Sequence, residues 1–290
     1  LANIYLMPVA GLLCSSSYGW RSVYYFMAAS GLIAFGLFAF FFEDRPTQHR
    51  MITDEEKKWI MKGKFQKSHK REPVPYRAIF SSLTIWGVWI SGFADILAIQ
   101  FINMFNPQYL KDYLNFNVLN TGFLGAIPVL VMWGCKLFAG VSSDLMKCIH
   151  EDVKLKIYNS IALGVSGLFF IILSFIPNTQ PALCLVILIL TEGFIGFNTA
   201  GFNKCGTLHA RQHAHFIMIM IVNISSLCVL VEPFIVNNIL TENTPFQWGM
   251  VFWVHAILLM IATVLFICWA DSRPAPWTNT VEHKEHKVLF

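Results

Sequence analysis

LCLVILILTEGFIGFNTAGFNK, residues 183–204, opens with eight apolar side chains and then changes vocabulary, to Glu192, three glycines, Asn198, Asn203 and finally Lys204. A span that only had to fill a lipid environment would continue in Leu, Ile, Val and Phe. Small and polar residues inside an apolar run instead predict a helix that faces protein or a polar path. Gly193, Gly196, Ala200 and Gly201 place small residues three to five apart. That spacing either lets a neighbouring helix approach closely or lets this helix unwind beside a cavity. Asn198 and Asn203 offer amide donors and acceptors toward the same interior.

The rest of the chain is written in the same solvent. Hydrophobic residues make up 56% and charged residues 13%, with a mean hydropathy of +0.55. The apolar residues arrive in blocks of about twenty, the length that crosses a bilayer as a helix. The blocks run over 20–42, 84–105, 119–140, 157–176, 181–203, 214–236 and 247–269, with residues 1–13 as the tail of one more. Barrel strands would be about ten residues long with alternating polarity, so the fold class expected is an all-α polytopic membrane protein.

Basic residues orient it. Ten Lys and Arg lie between Glu43 and Thr84 (Arg45, Arg50, Lys57, Lys58, Lys62, Lys64, Lys67, Lys70, Arg71 and Arg77). More sit at Lys147, Lys154, Lys156, Lys204, Arg211, Arg273, Lys284 and Lys287, against Arg21 and Lys111 in the opposite loops. The positive-inside rule makes the 43–84 segment, the 141–156 and 203–213 loops and the C-terminus cytoplasmic, and six spans after the long loop return the chain to that side. The net charge of +4 therefore serves topology and lipid contact, with no nucleic-acid partner implied. In the long loop, Thr53 and Glu56 have capping-box spacing, and Ile52, Trp59 and Ile60 give one apolar side. They predict a short amphipathic helix at the membrane surface, serving as linker or as a lipid or partner site. The seven cysteines lie in or beside spans except Cys148, and no disulfide framework is expected.

Several stretches resemble one family. MPVAGLL (7–13) with GWRSVYYFMAASG (19–31), EDRPTQHRMITDEEKKWI (43–60) with its D-x-P-x-x-H-x-x-I pattern, NPQYLKDYLNFNVLNTGFLGAIPVL (106–130), GFNTAGFNK (196–204) and WGMVFWV (248–254) are similar to the major facilitator superfamily, in particular to solute carrier family 17, the anion:cation symporters. The resemblance implies a helix bundle comprising a complete C-terminal six-helix half and about two helices of the N-terminal half. It divides the chain into 1–42 from the N-terminal half, a cytoplasmic central loop 43–83, the six-helix half 84–269 and a cytoplasmic tail 270–290. The family's first four spans have no counterpart, so the chain is expected to be N-terminally truncated and inactive alone. Its partners would then be the lipid bilayer, a small anionic solute and the missing N-terminal half. The implied activity is ion-coupled secondary transport of small organic or inorganic anions by alternating access, in the plasma membrane or an intracellular vesicle or lysosome membrane. No cofactor is implied beyond a coupling H⁺ or Na⁺.

Charge inside a span persists mainly where it faces a polar path, a partner or a packed interior. Asp95 and Glu192 each lie about eleven residues into their spans, roughly 16 Å deep at 1.5 Å per residue. Each is read either as an ion or proton site or as a structural hydrogen-bonding group. Gln100, Asn103, Asn106 and, in a later span, Asn223 extend the candidate seam. The candidate pathway residues are thus Asp95, Gln100, Asn103, Glu192, Asn198 and Asn223, with Gly193, Gly196 and Gly201 for helix packing. Lys136 and Glu232 read as cheaper charges near span ends, the lysine free to snorkel. The chain departs from the vesicular glutamate members at Asp95, where they place Arg, and at Val129, where they place His, so glutamate is not carried over as substrate.

Two other classes compete. LHARQHAH (208–215) carries His209, His213 and His215, which resembles the start of a His-box membrane oxidase. Such sites need many converging imidazoles, and the other histidines are scattered, so no enzyme and no metal are expected. The other competitor is a non-transporting product that binds a full-length relative.

Overall fold

The computed structural model describes residues 2–43, 53, 55–56, 74–146 and 148–278. The amphipathic helix expected at 52–60 and the tail beyond 278 lie outside the described residues, apart from Thr53, Glu55 and Glu56. The helices are α1 (Ala2–Ser15), α2 (Arg21–Phe41), α3 (Tyr76–Phe80), α4 (Leu83–Gln108), α5 (Val118–Leu145), α6 (Glu151–Asn159), α7 (Ser166–Phe175), α8 (Pro181–Ile195), α9 (Phe202–Ala210), α10 (Ala214–Ile239) and α11 (Pro245–Trp269). No strand occurs among the described residues. Among the described residues, six helical stretches are long and apolar enough to cross a bilayer. One of them, Pro181–Ile239, has 59 residues and supplies two crossings. It is broken at Arg211, whose φ of +41° no helix accommodates. The chain is an all-α, multi-pass integral membrane protein.

The helices start where local chemistry says they can. The Asn117 side chain accepts from the Asn120 amide at the head of α5. Thr244 and Gln247 form a reciprocal capping box on α11. Pro181 and Pro245 occupy first-turn positions, where a missing N–H costs nothing. The ends run further than the apolar blocks. Glu151–Lys156 and Lys204–Ala210 are helical although polar, because a helix continues past the hydrocarbon boundary with polar turns that carry no apolar signal. Between α6 and α7 the chain adopts a π-helical stretch, Ser160–Val165, and another, Tyr109–Tyr113, extends α4.

Residues 1–12 and 75–290 form one compact unit and 13–74 a second. In the second, α2 buries none of its side chains and presents Tyr25, Leu32, Phe35 and Phe40 outward. In the first, α4 is the enclosed helix, packed by α10 and α11. In turn α11 packs on α7, and α5 packs on α8. Phe101 of α4 sits at the centre of an aromatic core, with Phe105, Phe170 and Phe252 rings 5.9–6.1 Å from its own. Gly11 of α1 meets Gly122 of α5 with backbone nearly in contact, since a Cβ on Gly122 would fall 2.6 Å from the Met7 carbonyl oxygen.

Candidate functional site

The opening stretch holds the site. At Gly196, α8 tightens into a 3₁₀ segment running to Ala200, and the chain turns at Gly201 before α9 begins. The glycines are there for close approach. A Cβ on Gly196 would lie 2.6 Å from the Met132 carbonyl oxygen and 2.9 Å from Cys135 Cβ of α5. One on Gly193 would lie 2.9 Å from Val131 Cγ1, and one on Gly201 would lie 3.0 Å from the Asn159 Cα of α6. All three act through packing, against α5 and α6, and the 3₁₀ break gives the segment its local unwinding as well.

That break aims Asn198 inward. Its Nδ2 donates to Asp95 Oδ2 of α4 at 2.7 Å, with both residues buried. The Asn198 carbonyl meanwhile accepts from Gly201 N and from Asn203 Nδ2, which holds the irregular turn. Asp95 Oδ1 has no hydrogen-bond partner among the described residues. Glu192 is fully enclosed on α8, and neither of its carboxyl oxygens has a partner among them. Asn159, under Gly201, is equally enclosed with neither amide atom partnered. Lys136 of α5 is within coulombic reach of both Asp95 and Glu192. A carboxyl group out of water with an unused oxygen is costly unless something supplies a proton, a cation or a donor. Asp95 and Glu192 each present such an oxygen.

The other candidates do not all converge on it. Gln100 and Asn103 are half-buried further along α4. Asn106 is buried, and its Nδ2 would lie 3.7 Å from a Cβ on Gly125 of α5. Asn223 is exposed on α10 and donates to its own helix at Ile219 O, apart from the Asp95–Asn198 pair.

Lys136 stays half-buried on α5, which continues past its apolar block to Leu145. The structure corrects the reading of Glu232 as a cheap charge near a span end. Glu232 is fully buried and faces His255 of α11, whose Nε2 lies 3.2 Å from Oε1 and 3.4 Å from Oε2. The apolar block ending at 236 understated the helix, which runs to Ile239. The missed signal was present: His255 is the one His, Asp, Glu, Lys or Arg in the whole of α11.

At the basic end, Lys204 of α9 pairs with Asp144 of α5 at 3.1 Å and with Glu151 of α6 at 3.7 Å, and Lys154 pairs with Glu151. The histidines of 208–215 tie down the segment after α11. His209 donates from Nδ1 to the Arg273 carbonyl at 2.7 Å, and its Nε2 lies 3.3 Å from Ser82 Oγ. His213 packs against Trp277. These imidazoles are spent on backbone and aromatic contacts, and no cluster of three or more metal-ligating side chains occurs among the described residues.

A family model described as Major Facilitator Superfamily matches residues 1–233. Sialin of Ovis aries is 24% identical over 290 residues, covering 99% of this chain and 58% of its own length. Vesicular glutamate transporter 2 of Bos taurus is 24% identical over 292 residues, covering 98% of this chain and 50% of its own. Vesicular glutamate transporter 1 of Xenopus laevis is 25% identical over 292 residues, again with 98% and 50% covered. The chain thus spans about half to three-fifths of the length of these relatives.

Proposed function

We propose a transport function for this chain, which belongs to the Major Facilitator Superfamily: ion-coupled secondary transport of small organic or inorganic anions by alternating access. The observation that carries it is the buried Asp95–Asn198 hydrogen bond at a helix break, with the unpartnered Glu192 and Asn159 on the adjoining helices. Discontinuous helices whose polar groups meet near mid-membrane are how secondary transporters build ion and substrate sites. An orphaned carboxyl oxygen accepts either H⁺ or Na⁺, and the Lys136 cation nearby offers an anionic solute a counter-charge. Likeness to vesicular glutamate transporters supports an anionic solute. Asp95 in the enclosed α4 argues for a substrate range different from theirs. The basic ends of the spans face the cytoplasm in this reading, with the C-terminus on that side. The host membrane is the plasma membrane or that of a vesicle or lysosome.

The test is uptake of a panel of labelled carboxylates and inorganic phosphate by the full-length protein under imposed pH, Na⁺ and voltage gradients, with surface abundance controlled. Asp95→Asn and Glu192→Gln are expected to abolish gradient-driven accumulation, and Asp95→Arg to change the order of preference within the panel. Normal accumulation in both neutral variants would remove the coupling role from this cluster.

A further inference from the structure

A third buried carboxyl group, Glu232 of α10, has its own chemistry. His255 Nδ1 lies 2.8 Å from the Val251 carbonyl oxygen. A carbonyl has no proton to give, so Nδ1 carries hydrogen and donates, which leaves Nε2 as the ring's only variable position. Nε2 faces the Glu232 carboxyl at 3.2 Å and 3.4 Å with both side chains out of solvent. Exactly one proton makes that contact a hydrogen bond: imidazolium donating to carboxylate, or carboxylic acid donating to imidazole. With none, a lone pair confronts a buried negative charge, which a water-free interior penalises heavily.

The surroundings enclose the pair without supplying a substitute donor. The Phe101 ring of α4 stacks on the imidazole at 4.5 Å and 29°, and Phe170 of α7 flanks it at 5.7 Å. Of the elements packed there, α7 contains no ionisable residue, and α11 adds only Cys268, more than three turns from His255. On α10 the neighbour is Cys228, one turn before Glu232, whose Sγ reaches the Phe93 carbonyl at 3.7 Å. On α4 the one ionisable side chain is Asp95. Next to Glu232, Pro233 removes the amide that would bond the Val229 carbonyl, leaving α10 easiest to bend beside the carboxyl.

We propose that Glu232 and His255 form a proton-binding site of the transport cycle, holding one exchangeable proton while α10 and α11 pack as they do here and releasing it when α10 bends at Pro233. The release passes one proton from the Nε2–carboxyl contact to water. It leaves carboxylate and neutral imidazole, with Nδ1–H still on Val251 O, and no other bond changes. The net charge of the pair goes from zero to minus one, so the empty pair stabilises whichever arrangement lets water reach it. That is the coupling of a proton to a helix movement. The assignment of a role in transport rests on the function proposed above. The existence of the proton site does not.

The experiment uses the full-length protein purified into liposomes and reads the site directly. Infrared difference spectra between about pH 8 and about pH 5 are expected to include a carboxyl component and an imidazole ring component that change together. Both vanish in Glu232→Gln, and the carboxyl band titrates at a different pH in His255→Gln. A carboxyl and imidazole signal that persists unchanged in Glu232→Gln overturns the site. Should that variant not fold, His255→Gln decides instead, and an unshifted carboxyl titration overturns it. The same liposomes report pH-driven accumulation of a labelled small carboxylate, which Glu232→Gln is expected to lose. Wild-type accumulation in Glu232→Gln overturns the coupling role even though transport stands. Paired titration in a wild type that moves no anion leaves the proton site intact and refutes the transport reading.

Discussion

Replacing Gly196 by Ala tests whether the close approach of α5 to the 3₁₀ break sets the geometry of the site. The added Cβ would meet the Met132 carbonyl oxygen at 2.6 Å, Cys135 Cβ at 2.9 Å and Lys136 N at 3.2 Å. The first and third atoms are backbone, so no rotamer change relieves them. Reaching an ordinary 3.4 Å from Met132 O asks for a local retreat of about 0.8 Å between α5 and the 196–200 segment. Forcing a methyl into a packed contact typically costs about 1–3 kcal/mol. Gly134, on the exposed side of the same α5, has nothing within 4 Å of its Cβ position, and Ala there is expected to be neutral or to stabilise by up to about 1 kcal/mol. Thermal unfolding of the purified protein followed by intrinsic fluorescence separates the two. Gly196→Ala is expected to lower the melting temperature by roughly 2–10 °C, with Gly134→Ala at or above wild type. Equal melting temperatures for the two variants would mean that α5 and the break are not in contact as described.

Orientation is checked with single cysteines in a cysteine-depleted background expressed at the cell surface. Positions 62 and 279 are expected to resist an impermeant thiol reagent applied outside, and position 112 to react; labelling at 62 reverses the topology. His209→Phe removes the ring's contacts with Ser82 Oγ and the Arg273 carbonyl, together about 2 kcal/mol. Protease cleavage within 270–278 is expected to accelerate roughly tenfold or more, and an unchanged rate would show that these contacts do not hold the segment.

The crossings were legible because a bilayer imposes a demand that sequence must answer openly, about twenty apolar residues at a time. Their ends were not, since Glu151–Lys156 and Lys204–Ala210 are helical outside that demand. Asp95 and Asn198 could each be singled out as polar in an apolar setting. Their hydrogen bond joins residues 103 apart in sequence, and only the packing of α4 against the break decides that they meet. Asn159 went unnoticed because it stands at the polar edge of its apolar block, where an asparagine signals nothing. Glu232 was misjudged for a related reason: depth was counted from the end of hydrophobicity, whereas its burial comes from α11 bringing His255 alongside.

A common rule connects several of the buried polar groups. Asn198 lies inside the 3₁₀ segment, Glu192 one turn before it, and Asn159 immediately before the π-helical stretch Ser160–Val165. Glu232 adjoins Pro233. Each stands where the regular i to i−4 ladder is interrupted, so bending there breaks the fewest backbone bonds. Asp95 and His255, by contrast, sit in regular stretches of α4 and α11, in α4 well before Pro107. The Asp95–Asn198 and Glu232–His255 contacts therefore each pair a group beside a helix irregularity with one in a regular stretch. Gaining or losing a proton or ion at such a contact changes the cost of separating the two sides by more than it would between two rigid helices, because one side is free to leave. Under the proposed function, ion binding would act at the positions where the helices can move.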